Sequence, residues 1–161
     1  MVELALVLII LVMLLVGIVS TGIAYNHQLA LTHGAREGGR YAATLPVTNF
    51  ASMDAWLDEV ATQVINDTTG TLSAGVPGYF VCVAYVHPNG TLSTDSTRNR
   101  IDDAGSIDRQ DQPCFADGRP NDERRVQVEV RRDTEFNVVV FSTTINLDSE
   151  AVNRFEAGVG F

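Results

Sequence analysis

The stretch Glu3-Leu4-Ala5-Leu6-Val7-Leu8-Ile9-Ile10-Leu11-Val12-Met13-Leu14-Leu15-Val16-Gly17-Ile18-Val19 decides how this chain is built. No Asp, Glu, Arg or Lys follows Glu3 until Arg36. A helix of about 20 apolar residues crosses a hydrocarbon core of about 30 Å, so the segment has the length and composition to sit in a membrane. A carboxylate at the tip of such a helix is costly unless a cation pairs with it. A greasy helix with one charge near its end suits a subunit that leaves the bilayer and packs against copies of itself.

The helix is not expected to stop where the apolar run does. From Tyr25 to Ala43 the pattern turns amphipathic, with Leu29, Leu31, Ala35, Tyr41 and Ala42 set among Asn26, His27, Gln28, His33, Arg36, Glu37 and Arg40. Pro46 is the first plausible terminator, because it restricts the residue before it. The spacing predicts one helix from residue 2 to residue 43, about 60 Å long at 1.5 Å per residue. Gly17, Gly22, Gly34, Gly38 and Gly39 would each weaken an isolated helix by up to about 1 kcal/mol. In a bundle they let neighbouring backbones approach, so they are read as packing positions against partner helices, Gly17 and Gly22 above all.

Residues 46–161 have ordinary hydrophobicity and are expected to form one small globular domain behind the assembly helix of residues 1–45. Asn49 or Ser52 can cap a second helix, whose Met53, Leu57, Val60, Ala61, Val64 and Ile65 share one face. Such a helix lies across a sheet. Trp56 adjoins its apolar face as a core or interface anchor. Residues 78–86 read as a strand closed by a turn at His87-Pro88-Asn89-Gly90, with Thr91-Leu92-Ser93 opening a return. Residues 94–123, polar and rich in Asp, Arg, Gly and Pro, read as a long loop. Arg125–Arg131 alternates as a half-buried strand, Phe136–Phe141 is apolar but for Asn137, and Thr144–Phe155 alternates with Ile145, Leu147, Ala151 and Phe155 on one face. The predicted fold class is α+β: a long N-terminal helix, then one amphipathic helix on a mainly antiparallel sheet of about four strands.

The net charge of −9 argues against nucleic acid, whose phosphates need a basic surface. All eleven basic residues are arginine. Cys82 and Cys114 form an even pair in a chain whose bulk is exported, and are expected to close a disulfide worth roughly 3 to 4 kcal/mol. The alternative is two separate buried thiols. No positive region precedes the apolar run and no small-residue cleavage site ends it, unlike a secretory signal. Two readings follow: a short basic leader has been removed, or the helix is an uncleaved anchor. The first is favoured, because no flanking arginine would fix an anchor's topology.

Val2-Glu3-Leu4-Ala5-Leu6-Val7, the apolar run behind it, and Ala24-Tyr25-Asn26-His27-Gln28-Leu29-Ala30-Leu31-Thr32-His33-Gly34-Ala35-Arg36-Glu37-Gly38-Gly39-Arg40-Tyr41-Ala42-Ala43 resemble the TadE-like family, pilin-like proteins of the tight-adherence (Tad) branch of type IV pilus systems. The Ala35–Ala42 signature is the more specific part, and the resemblance covers about residues 1–45. It implies a type IV pilin-like fold, a leader cut by a prepilin peptidase, a helix first held in the inner membrane, and assembly by a dedicated ATPase machine into a surface filament. Two features depart from the pattern. Pilins usually carry their glutamate at the fifth mature position, not the third, and often a proline early in the run, where Ile9-Ile10 stand here.

Glu3 is the leading functional residue. Buried among apolar helices, it would pair with the α-amino group of a neighbour, either that of Met1 or of a terminus outside this numbering, and so fix the stagger between subunits. Arg36, Glu37 and Arg40, one turn of helix, are candidates for a subunit contact, although exposed helix charges are worth only tenths of a kcal/mol. The acids Asp95, Asp102, Asp103, Asp108, Asp111, Asp117 and Asp122 do not follow the spacing of a calcium loop, and Arg98, Arg100, Arg109 and Arg119 offset their charge. His27, His33 and His87 lack ligand spacing with the cysteines, so neither metal nor cofactor is expected. Asn66 and Asn89 open glycosylation sequons. No nucleophile elbow, phosphate loop or paired-carboxylate arrangement points to an enzyme. The expected function is a structural subunit that polymerises through its helix into an extracellular filament. The alternatives are a minor pilin or pseudopilin that primes assembly, and a single-pass membrane-anchored binding module.

Overall fold

In a computed structural model, the structure describes residues 2–68, 70–73, 75–86, 98–119, 123–138 and 141–156, with backbone alone at 2–6, 98, 137, 138 and 141. Helix α1 runs unbroken over Val2–Thr44. Pro46 ends it: its φ of −65° and ψ of 128° send the chain into a short 3-10 turn at Val47–Asn49. Helix α2, Met53–Asp67, begins at Ser52, whose hydroxyl accepts from the Ala55 N–H at 3.2 Å. Of the two expected caps Ser52 is the one used; Asn49 belongs to the 3-10 turn.

Among the described residues five antiparallel strands follow: β1 Phe80–Val86, β2 Arg98–Ile101, β3 Ile107–Gln110, β4 Arg125–Val138 and β5 Phe141–Arg154. Their order across the sheet is β3-β2-β1-β4-β5. β4 and β5 are one long hairpin, paired from Arg125↔Arg154 to Val138↔Phe141. The expected α+β layout is therefore present, with two corrections. The segment 94–123, read as a loop, contains β2 and β3. These strands are only four residues long, Arg-Asn-Arg-Ile and Ile-Asp-Arg-Gln, too short and polar to show alternation. The second concerns β4: Arg125 to Val130 are all buried, where one buried face was expected. The turn expected at residues 87–90 and the return at 91–93 lie outside the described residues; β2 does run antiparallel to β1, with Cys82 opposite Arg100.

Both sheet faces are covered, by different materials. Val81, Val83, Tyr85, Val126, Val128 and Val130 meet α1 and α2 in one apolar core with Leu31, Trp56, Leu57, Val60 and Phe155. Trp56, Tyr85 and Phe155 pack edge to face, with centroids 5.1 to 6.2 Å apart, and the Trp56 indole donates to the Leu45 carbonyl at 3.1 Å. Trp56 is thus a core anchor. The opposite face, carrying Arg125, Gln127 and Glu129, is closed by the segment 111–119. Cys114 reaches Cys82 there in the expected disulfide. Gln127 accepts from the Cys114 N–H and donates to the Phe115 carbonyl and to Asp117, while Arg125 forks onto Asp117 at 2.6 and 3.1 Å. Buried polar groups are tolerated when so satisfied.

Candidate assembly surface

Along α1, burial changes abruptly. From Leu31 onward the helix is seated: Leu31, Ala35 and Ala42 are fully buried, and Gly38 and Gly39 are buried beside them. The small residues are required by contact on two sides. A methyl group on Gly34 would overlap Thr68 and approach the Val64 carbonyl, and one on Gly38 would overlap the Val64 side chain, both on α2 or its cap. One on Gly39 would meet Asn153 of β5. Three of the five glycines expected to face partner helices are thus used inside the chain. Gly17 and Gly22 are different: a methyl group added to either would meet nothing within 4 Å beyond the helix's own backbone.

Over residues 7–30, among the described side chains, the helix has little intrachain cover. Every large aliphatic side chain from Val7 to Val12, with Leu14, Leu15, Ile18, Val19, Ile23 and Leu29, is between 43% and 73% exposed. The segment is long and apolar enough to cross a membrane. Fully burying one such side chain is worth about 1.5–3 kcal/mol, so covering the remaining exposed half of a dozen of them would contribute on the order of 10–20 kcal/mol. That is comparable to the roughly 5–15 kcal/mol that hold a typical domain together. Gly17 and Gly22 floor an apolar groove of about 630 Å³ whose walls are Met13, Thr21, Tyr25 and, from the β4–β5 hairpin, Phe136. Sequence reading missed Phe136. The available signal was the charge-free run between Glu135 and Asp148, which opens on this phenylalanine.

The hairpin is tied to α1 at defined points. His27 Nδ1 and Thr134 Oγ1 share a hydrogen bond at 3.3 Å, and the Gln28 amide donates to the Asp148 carbonyl at 2.8 Å. At the far end of the seam the Glu156 N–H donates to the Ala43 carbonyl at 3.0 Å.

Arg36, Glu37 and Arg40 come together on the outer face of α1, all exposed, away from the buried glycines of the same turn. Glu37 and Arg40 share a polar cleft with His33, Tyr41, Gln63 and Asp67, lined by both α1 and α2. Met1 and the side chain of Glu3 lie outside what the structure describes, as do Asn89, His87, Asp95 and Asp122. Asn66 is described, exposed at the end of α2. Two of the loop acids have definite structural work. Asp102 accepts from the N–H groups of Ala104 and Ser106, shaping the β2–β3 turn. The Asp117 side chain is buried, which alone would raise its pKa; hydrogen bonds from Gln127, the Arg119 N–H and Arg125, with the Arg125 charge, hold it below the usual carboxylate value instead.

Residues 1–40 match the model of the TadE-like protein family. No curated protein and no solved structure matches the chain.

Proposed function

We propose, from the match of residues 1–40 to the TadE-like family, that this chain is a pilin-like structural subunit of a Tad-type pilus system. It is inserted in the inner membrane as a precursor, processed by a prepilin peptidase, and polymerised through α1 into a surface filament by a dedicated assembly machine. The observation that carries this reading is the division of α1: its upper third is seated in the head by buried small residues, while its lower two thirds exposes a continuous apolar surface with a glycine-floored groove. Such a rod is at home in lipid and in a bundle of its own kind, and passes between the two with little change in apolar burial.

In that bundle Glu3 pairs with the N-terminal amine of a neighbour. Losing one partner of a buried pair costs about 3–5 kcal/mol, enough to penalise a wrong register. Arg36, Glu37 and Arg40 lie on the exposed side of the helix, available to a neighbouring subunit. The test is negative-stain microscopy of sheared surface material with N-terminal sequencing of the subunit. Filaments built throughout of this chain support the reading; traces of it in filaments of another subunit indicate the priming role, and its confinement to the membrane fraction indicates an anchored module. Glu3→Ala is expected to abolish filaments while leaving subunit levels intact, and normal filaments from that variant would overturn the assigned role of Glu3.

A further inference from the structure

The β4–β5 hairpin outruns the rest of its sheet. β1 pairs with β4 only as far as Phe80↔Arg131, whereas β4 and β5 stay paired to Val138↔Phe141. Beyond Arg131 the hairpin is a two-stranded arm. In the order β3-β2-β1-β4-β5, each strand of that arm has an outer backbone edge with no strand beside it among the described residues. α1 lies against the arm through His27 on Thr134 and Gln28 on the Asp148 carbonyl, and Phe136 lines one groove with Thr21, Gly22 and Tyr25. A helix spends its backbone groups on itself, so α1 cannot satisfy those edges. Hydrocarbon cannot either, and an unsatisfied backbone group is costlier there than an aliphatic side chain left at the surface.

The arm therefore limits how far α1 can sink. Its paired end at Val138 lies four residues past Thr134, at most about 14 Å at 3.4 Å per residue. That equals about nine residues of helix below His27, which puts the end near Ile18 at the lowest. The sequence changes character at the same height: the apolar run closes at Val19, and Ser20-Thr21-Gly22 follow. The helix below Val19 is long enough to cross a hydrocarbon core, which takes about 17–25 residues. The headgroup layer above it, roughly 5–8 Å deep, then takes in Thr21 to Tyr25. Tyr25, 65% exposed, is a residue type that favours this layer. The arm presents Ser142, Thr143 and Thr144 there, all exposed and uncharged.

We infer that the end of the β4–β5 arm rests in the lipid headgroup layer while the subunit is in the membrane, as a foot that fixes the depth of α1. The inference rests on the proposed membrane residence of α1. Water and headgroups solvate the open strand edges at that level, and Phe136 sits in the apolar groove beside Tyr25. The contact is with lipid rather than with a second copy, because the ties at His27 and Gln28 bring the arm to the surface whenever α1 is embedded, before any neighbour arrives.

The experiment uses the full chain, with its native cysteines paired, at low protein-to-lipid ratio in phosphatidylcholine vesicles that carry a small fraction of nickel-chelating headgroup lipid. Single nitroxide labels at Ser142→Cys and, independently, at Thr144→Cys report on the arm. Leu11→Cys serves as the hydrocarbon reference and Gln110→Cys, on the distant edge strand, as the water reference. The expected result is a relaxation enhancement by headgroup-bound nickel several-fold greater at both arm sites than at Leu11 or Gln110. Arm labels that respond like Gln110 while Leu11 stays lipid-exposed overturn the inference and leave the proposed function standing. Arm labels that respond like Leu11, reached by oxygen and not by nickel, overturn it as well, since the arm is then sunk in hydrocarbon. A Leu11 label open to a water-soluble nickel chelate overturns the membrane reading and the inference with it.

Discussion

Matched substitutions at Gly38 and Gly17 separate two tasks of one helix. Gly38→Val puts a branched side chain into Val64, and overpacking of that kind costs roughly 1–3 kcal/mol, more than the gain in helix propensity of about 1 kcal/mol or less. A lower urea midpoint for the head is the expected readout. Gly17→Val meets open space and is expected to leave that midpoint unchanged, but to reduce filament yield by filling the groove floor. Asp117 supplies a second residue-scale test. Its folded pKa is held below the ordinary value near 3.8, so its stabilisation is present above that value and is lost as pH falls through the folded pKa. Asp117→Asn should therefore destabilise the head at neutral pH and flatten the fall in stability below about pH 4, checked by urea titrations across that range.

Elements differed in how plainly the sequence announced them. α1 and α2 were legible because their apolar spacing persists for several turns and because Pro46 and Ser52 punctuate them. β2 and β3 were not, since each is only four residues long and is held by backbone pairing and by Arg109 reaching Asp54 and Asp58, with Ile101 of β2 packing against the core too briefly to show a period. β4 hid its second buried face because Arg125, Gln127 and Glu129 look solvent-facing until the segment 111–119 is laid over them. The role of Gly34, Gly38 and Gly39 was misread for a related reason: small residues announce close approach without saying to what. The Cys82–Cys114 bond pins that covering segment. Removing it with Cys82→Ser and Cys114→Ser is expected to cost about 3–4 kcal/mol by the chain-entropy estimate, and to speed proteolysis within residues 111–119. Denaturant unfolding with and without reductant, followed by mass spectrometry of the first cleavage sites, checks both.

For the whole molecule the informative boundary is where the head ends along the helix. A division at residues 45 and 46 matches the change in composition, and we propose that the folding unit nonetheless reaches back into α1, since Leu31, Ala35 and Ala42 belong to the head's core. A chain lacking residues 1–24 is expected to be soluble with a cooperative melt. A chain lacking residues 1–45 loses Leu31, worth about 2–5 kcal/mol for truncation to Ala alone, and uncovers the sheet face beneath it. Loss of near-ultraviolet dichroism is expected there. Equal melts for the two truncations would place the unit's edge at residue 46 after all.

In the proposed filament, the seam between α1 and the hairpin would also decide how the chain bears tension. A pull along the rod enters the head through an interface that runs from Gln28 on Asp148 to Ala43 on Glu156, nearly parallel to the force. Contacts arranged that way are loaded in shear and must give together, whereas contacts stacked across a force peel one at a time. The interlocking of Gly38 with Val64 and of Gly39 with Asn153 adds side-chain steps against sliding. A strand of such subunits would stretch first between rods and only afterwards within a head.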